Sequence, residues 1–174
     1  LKDAVQHFLA STPRFETTMT VSPDTVLESL RKAFGRNEQP ELLEDISDLV
    51  EMYCYLFAIP QAGLRLTILD RAMCPKFHVD RMPCRLVTTY QGIASQWLPH
   101  HVVDRTKLGA GSNGLPDDES GLYHHESDIQ HLTCGDVGLL KGEHWYDNEG
   151  AGLVHRSPAP PVGDSRLLLT LDFV

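Results

Sequence analysis

The stretch CPKFHVDRMPCRLVTTYQG, residues 74–92, has a histidine and an aspartate two residues apart, just before a segment rich in β-forming residues. Because side chains alternate along a strand, His78 and Asp80 project from the same face and can share one ligand. A plainer interpretation is that residues 80–83, DRMP, form a turn and that His78 is a polar residue beside it. The rest of the chain decides between a turn and a metal site.

The composition is that of one globular domain covering residues 1–174. Hydrophobic residues make up 41% of the chain and charged residues 22%, which is ordinary for a soluble domain of this length. The net charge of −9, from 24 acidic and 15 basic residues, argues against a nucleic-acid backbone or an anionic membrane as partner. No apolar run approaches the roughly 20 residues of a membrane helix.

The cysteines favour a cytoplasmic protein. Cys54, Cys74, Cys84 and Cys134 are widely spaced and include no Cys-x-x-Cys pair. This arrangement is typical of reduced thiols in a reducing compartment, and no signal peptide is recognisable.

Two helices are predicted in residues 1–60, which we expect to form a helical support for the sheets. Ser22-Pro23-Asp24 is typical of a helix start, and apolar residues then recur at three-to-four spacing as far as Phe34. A second helix is predicted from Pro40 to about Ala58, with one apolar stripe and an acidic face toward water.

Beyond residue 60 the hydrophobic pattern changes to alternation. Strands are predicted at residues 64–69, 85–91, 96–103, 129–133, 137–141, 152–155 and 166–174. Helices followed by short strands predict an α+β class with a β-sandwich or jelly-roll core over residues 61–174. Residues 104–128 show little periodicity, and we expect them to form a mobile lid at the open end of the barrel.

A second histidine and an arginine lie near the C-terminus. His155 ends a short apolar strand, the turn-rich segment SPAPPVGD (157–164) follows, and Arg166 opens the last strand. If the two strands form a hairpin with Ser157 opposite Asp164, Arg166 lies opposite His155 on the same face.

Together these residues match a known type of metal site. His78, Asp80 and His155 correspond to the facial triad of two histidines and one carboxylate in non-haem Fe(II) oxygenases. The guanidinium of Arg166 is suited to a bidentate grip on a dicarboxylate. The sequence therefore predicts a metal centre with an anion site beside it.

The ordered motifs HVDRMPCRLVTTYQG, GDVGLLKG, LVHRSP and SRLLLTLDF resemble the catalytic core of Fe(II)/2-oxoglutarate-dependent dioxygenases, particularly the prolyl-hydroxylase-like branch. The resemblance covers about residues 64–174 and rests on the order His-x-Asp, Arg-x4-Tyr, His, Arg. The chain as a whole also resembles a bacterial family of unknown function. One departure is that residues 91–96, QGIASQ, replace the acidic and glycine-containing segment that often follows the tyrosine-bearing strand.

The resemblance implies a double-stranded β-helix, a cupin-like jelly roll, with oxidoreductase activity. His78, Asp80 and His155 would be the catalytic iron ligands. Arg166 would bind the distal carboxylate of the co-substrate 2-oxoglutarate, and Tyr90 would be a second contact to it. The implied reaction is dioxygenase chemistry on a small-molecule or peptide substrate that the motifs do not identify.

Two other functions fit the same residues. One is a non-catalytic cupin-like protein that binds zinc or another divalent ion for storage, sensing or regulation. The other is a barrel whose metal only holds the fold. The remaining loop histidines are either solvated or part of a second metal site with Glu126 and Asp128; they are His100, His101, His124, His125, His131 and His144. Residues 143–146, EHWY, predict either a substrate wall or packing over the barrel mouth.

Overall fold

The computed structural model describes residues 1–174 and contains two antiparallel sheets and three α-helices. The helices are α1 (Lys2–Ser11), α2 (Val26–Phe34) and α3 (Pro40–Phe57). The strands are β1 (Glu16–Val21), β2 (Ala62–Leu69), β3 (Cys84–Gln91), β4 (Gln96–Leu98), β5 (Gln130–His131), β6 (Val137–Lys141), β7 (Val154–Arg156) and β8 (Arg166–Asp172). No helix combines the length and the apolar composition that crossing a bilayer requires.

The larger sheet has the strand order β1-β2-β8-β3-β6 and carries the helices on one face. Its central strand β8 reads RLLLTLD and is buried along nearly its whole length. Leu167, Leu169 and Leu171 pack with residues of all three helices, whereas Leu168 packs with Val87 and Leu140 in a separate cluster. Because side chains alternate, the face that carries Leu168 also carries Arg166 and is turned away from the helices.

The sequence predicted two of the helices and missed one helix and one strand. α3 has the expected bounds and is capped by Ala58, whose φ of 50° is left-handed; α2 ends at Phe34 as expected but begins at Val26, after a turn at residues 22–25. α1 and β1 carry weaker signals; β1 reads ETTMTV and is an edge strand whose outward positions are polar. Residues 1–60 are therefore not a purely helical support, because Glu16–Val21 extends the larger sheet beside β2.

The smaller sheet has the order β5-β4-β7, and its pairing corrects the expected hairpin. β7 pairs with β4, with Trp97 opposite His155, whereas β8 lies between β2 and β3 in the other sheet. Residues 157–165 therefore cross between the sheets, and Arg166 is not the cross-strand partner of His155. Prolines at 158, 160 and 161 cannot donate ladder hydrogen bonds, which disfavours a hairpin here.

The long segment 104–128 covers the outer face of the smaller sheet. It contains short 3₁₀ turns, and Leu122 is buried in a cluster with Phe77, Leu98 and Val154. Phe77 precedes His78 and Val154 precedes His155, so alternation puts this cluster on the opposite side of the sheet from the two histidines. Leu122 thus anchors the segment on the side of the sheet away from the histidines, and the mobility of the segment stays a prediction.

Leu122→Ala should lower the free energy of unfolding by about 2–5 kcal/mol, as expected for a buried leucine that leaves a cavity. Leu115→Ala is the matched control in the same segment, because Leu115 is 44% exposed, and its effect should stay within about 0.5 kcal/mol. Urea unfolding measures both values. Equal, small losses in the two variants would mean that the segment is not packed on the sheet.

Candidate metal centre

His78 and His155 are brought together by a short antiparallel bridge. The backbone N–H of His78 donates to the carbonyl of His155 at 2.9 Å, and the N–H of His155 donates back to the carbonyl of His78 at 2.9 Å. Residues paired in this way have side chains on the same face. The two imidazole ring centres are accordingly 4.5 Å apart.

Asp80 completes the cluster from two residues further along the chain. Its carboxylate oxygens lie 3.7 Å from Nε2 of His78 and 3.5 Å from Nε2 of His155. One ligand atom from each of the three residues can be chosen so that all lie within 4.8 Å of one another, and no other group of three or more His, Cys, Asp or Glu residues meets that criterion. The loop histidines therefore do not form a second site of this kind.

The hydrogen bonds of the two histidines leave their Nε2 atoms free for a metal. Nδ1 of His78 lies 3.0 Å from the carbonyl of Lys76, and Nδ1 of His155 lies 3.0 Å from the carbonyl of Leu153. A carbonyl only accepts, so each Nδ1 carries the proton and each Nε2 presents a lone pair. Burial lowers the pKa of His155, which favours the neutral, metal-binding form.

Asp80 also has the features of a ligand carboxylate. Its side chain is 10% exposed, and Oδ2 is buried and accepts no hydrogen bond. Nη1 of Arg85 lies 3.0 Å from Oδ2, as an ion pair without hydrogen-bond alignment. A buried carboxylate oxygen with a free lone pair, facing two imidazole lone pairs, is suited to a divalent cation.

Gly142, the last residue of GDVGLLKG, fixes the backbone next to Asp80, a role that the sequence analysis did not identify. The carbonyl of Asp80 accepts from the N–H of Glu143 at 2.9 Å. A Cβ at position 142 would lie 2.1 Å from the carbonyl oxygen of Met82 and 2.8 Å from that of Asp80. Only glycine permits this approach, so residues 142–143 hold the turn that follows the metal-binding carboxylate.

Neither of the neighbouring residues 145–146 forms a wall at the cluster. Trp145 lies edge-on to Phe57 of α3 at 5.9 Å, and Tyr146 is almost fully exposed. Neither lines the cavity at the histidines.

Arg166 is a fully buried cation without a carboxylate partner. Its Nη atoms donate to three hydroxyls, those of Ser157, Thr89 and Ser95, the last two at 3.2 Å. Its Nε has no partner. Burial lowers the pKa of Arg166 to about 10, so it remains charged at neutral pH. A buried charge is costly unless an anion compensates it.

The segment that departs from the dioxygenase pattern packs against this arginine. Ser95, in QGIASQ, accepts from its guanidinium. Gly92 has a φ of 91°, and a Cβ there would lie 2.6 Å from the carbonyl of Ser165 and 3.1 Å from Cα of Arg166. Residues 91–96 therefore pack closely against Arg166 and supply one of its hydroxyl acceptors.

A cavity of about 40 Å³ lies between the histidines and the hydroxyls that hold Arg166. Its polar lining includes His78, His155, Ser95, Ser157 and Arg85. Its apolar lining includes Met73, Val87, Leu140 and Leu168. Such a volume has room for a few water molecules at about 10–15 Å³ each, and a larger guest requires side chains to move.

Tyr90 is not at this cavity. Its hydroxyl donates to Oδ2 of Asp45 on α3 at 2.6 Å, and its ring belongs to the helix-side cluster. Burial, followed by the hydrogen bond and charge of Asp45, raises the pKa of Tyr90 well above its usual value. Val87 and Thr89 lie on the opposite face of β3 from Tyr90. Val87 lines the cavity, and Thr89 accepts a hydrogen bond from Arg166. The expected contact between Tyr90 and a co-substrate carboxylate is therefore wrong in this geometry.

A family model described as a protein of unknown function, DUF1826, matches residues 1–172. The chain belongs to the DUF1826 family. No curated protein matches it in sequence.

Three solved structures show weak similarity to this DUF1826 chain. A crystal structure of Fe(II) HppE is 12% identical, with a TM-score of 0.36, and covers 66% of this chain and 43% of its own. A crystal structure of peruvianin-I, a cysteine peptidase from Thevetia peruviana latex, is 12% identical, with a TM-score of 0.34 and coverage of 64% and 50%. Fe(II)-HppE with the alternative substrate (S)-1-HPP is 13% identical, with a TM-score of 0.33 and coverage of 65% and 42%. The chain spans half or less of the length of each of these proteins.

Tyr90→Phe should leave metal and 2-oxoglutarate affinities unchanged and lower the free energy of unfolding by about 1 kcal/mol, the usual contribution of one hydrogen bond. Asp45→Asn is the matched variant on the other side of the bond. Calorimetric titration and urea unfolding measure the two effects. If Tyr90→Phe weakened 2-oxoglutarate binding and Asp45→Asn did not, Tyr90 would contact the ligand after all.

Proposed function

We propose that this DUF1826 protein is a non-haem Fe(II) oxygenase whose metal is bound by His78, Asp80 and His155. The observation that carries the proposal is the convergence of two Nε2 lone pairs and a carboxylate with a buried oxygen that accepts no hydrogen bond, with one ligand atom from each residue within 4.8 Å. Two histidines and one carboxylate with open positions are typical of non-haem Fe(II) oxygenases. The bound Fe(II) would supply the redox chemistry with dioxygen.

We further propose that the two sheets form a jelly roll. Apart from β1, the chain alternates between the two sheets. β2 and β3 lie in the larger sheet, and residues 77–79, which come between them in the chain, lie beside β7 of the smaller sheet. β4 and β5 then lie in the smaller sheet, β6 in the larger, β7 in the smaller and β8 in the larger. This order is typical of a double-sheet jelly roll. It puts the His78–His155 bridge and the cavity face of β8 on the inside.

Arg166 supports 2-oxoglutarate as the co-substrate. A buried guanidinium held only by hydroxyls, with a free Nε, is set up for an anion that the protein itself does not provide. Ser95 and Ser157, which accept hydrogen bonds from Arg166, line the same cavity as His78 and His155. A dicarboxylate could therefore place one carboxylate at Arg166 and its other end at the metal.

The chain's own residues then have separate tasks. The hydroxyls of Thr89, Ser95 and Ser157 orient the guanidinium, and the apolar side chains around Leu168 exclude water from the cavity. Met73 is a flexible thioether in the cavity wall, and its movement would enlarge the present volume of about 40 Å³. The substrate, a small molecule or a peptide, would approach from the side of His78, whose side chain is 32% exposed.

The four cysteines are free, although Cys74 and Cys134 are exposed. Free exposed thiols fit a reducing compartment, and we propose a cytoplasmic location.

One observation favours a second candidate, a cupin-like metal-binding protein without catalysis. The cavity beside the histidines is small, and a protein that only stores or senses zinc or another divalent ion has no use for a larger one. The two proposals share the metal ligands and differ in whether Arg166 binds a dicarboxylate.

Arg166→Met distinguishes these functions, because it is expected to weaken 2-oxoglutarate binding without lowering the free energy of unfolding. Replacing an unpaired buried cation with an apolar side chain of similar length should leave the stability of the metal-free protein unchanged or raise it. The same change should weaken 2-oxoglutarate binding by about 2–5 kcal/mol, as for a buried charge pair that loses one member. Anaerobic calorimetric titration of 2-oxoglutarate into Mn(II)-loaded protein measures the binding.

Arg65→Met is the matched control, because Arg65 pairs with Glu16 on the surface of the larger sheet. Arg65→Met should alter neither the stability of the metal-free protein nor its affinity for 2-oxoglutarate. If wild-type protein binds Mn(II) but not 2-oxoglutarate at millimolar concentration, 2-oxoglutarate is rejected as the co-substrate and the non-catalytic function is favoured. If Arg166→Met binds 2-oxoglutarate as tightly as the wild type does, 2-oxoglutarate remains the proposed co-substrate, but Arg166 is not the residue that binds it.

A further inference from the structure

Arg85 lies between two carboxylates that come from distant parts of the chain. On one side, its Nη1 is 3.0 Å from Oδ2 of Asp80. On the other side, its Nε donates to Oδ1 of Asp172 at 2.7 Å and its Nη2 donates to Oδ2 at 3.0 Å. The contact with Asp172 is bidentate, the geometry that best fixes a guanidinium in one orientation.

The larger sheet fixes the positions of Arg85 and Asp172. Leu86 of β3 is the register partner of Leu171 in β8, so antiparallel pairing brings Arg85 beside Asp172. An arginine guanidinium carries its charge throughout the accessible pH range. The guanidinium is thus a permanent cation, tied to a sheet.

Asp80 has no comparable support of its own. It follows the bridge at His78, outside any named strand, and its Oδ2 accepts no hydrogen bond. A carboxylate must be held in one orientation to bind a metal well, and groups that orient metal ligands contribute strongly to affinity. Arg85 is the one basic side chain within ion-pair distance of Asp80 other than the two histidines.

We propose that Asp172 and Arg85 act as a relay that holds Asp80 in its metal-binding orientation, so that Asp172 controls metal affinity without touching the metal. The inference rests on the proposed metal site. It assigns positioning roles to two residues that are far apart in the sequence and adjacent in the larger sheet: Asp172 orients Arg85 through two hydrogen bonds, and Arg85 orients Asp80 through its charge. The Asp80 lone pairs stay free for the ion, because the ion pair is not an aligned hydrogen bond.

The test is Co(II) binding, measured by competition with a chelator and by the visible absorption spectrum of the bound ion. Asp172→Asn and Arg85→Gln should each weaken Co(II) binding by about 10–100-fold, the usual effect of losing a partner of a metal ligand. Both should also change the Co(II) spectrum, because the carboxylate that coordinates the ion is no longer held in one orientation. The double variant should bind no more weakly than Arg85→Gln alone, since Asp172 acts only through Arg85.

Glu16→Gln and Arg65→Gln make the same chemical changes in the exposed ion pair of β1 and β2 and should alter neither affinity nor spectrum. If Arg85→Gln does not fold, Arg85→Lys takes its place. Lysine keeps the charge but lacks the fork that spans both carboxylates, so it should also weaken binding and change the spectrum.

The outcomes separate the relay from the metal site itself. Wild-type protein that binds no Co(II) would reject the proposed function. Wild-type binding that Asp172→Asn leaves unchanged in affinity and spectrum would reject the relay alone. Additive losses in the double variant would likewise reject it, because Asp172 would then act by a route that does not include Arg85.

Discussion

The pair of backbone hydrogen bonds between His78 and His155 is the constraint on which the candidate site depends. It joins a short segment after β2 to β7, from positions 77 residues apart in the chain, and puts both imidazoles on one face. Asp80 then reaches the same space because it is two residues from His78. On the other face of this sheet, Phe77 and Val154 pack against Leu122. This outer packing holds the bridge in place, while the face that carries the histidines remains polar.

Inside the two sheets, the structure retains charges that do not serve stability. Arg166 is fully buried without an anion, and Asp80 keeps a buried oxygen without a hydrogen bond. Each arrangement costs free energy in the protein alone and becomes favourable when a ligand of opposite charge binds. One cavity is lined both by the two histidines beside Asp80 and by Ser95 and Ser157, whose hydroxyls hold Arg166.

Much of this could be predicted from the sequence because the signals are local. The strands β2 and β3 show alternation, β6 and β8 are short apolar runs, and the His-x-Asp pair needs only two residues to share a face. Strand pairing is not local, so a hairpin between β7 and β8 was a reasonable but wrong expectation. The error on Tyr90 had a visible signal: Arg85 and Tyr90 differ by five positions, and residues at odd spacing on a strand face opposite sides. The contact between Arg85 and Asp172, 87 residues apart, had no signal in the sequence at all.

The central claim is that one first-row divalent ion binds to His78, Asp80 and His155, and X-ray absorption spectroscopy of anaerobic Fe(II)-reconstituted protein tests it most directly. We expect one iron per chain, with a shell of nitrogen and oxygen near 2.0–2.2 Å and the scattering pattern of two imidazoles. Asp80→Ala should remain folded and fail to retain the iron. Sub-stoichiometric iron in the wild type, or a sulfur shell near 2.3 Å that indicates Cys74 as a ligand, would contradict the account.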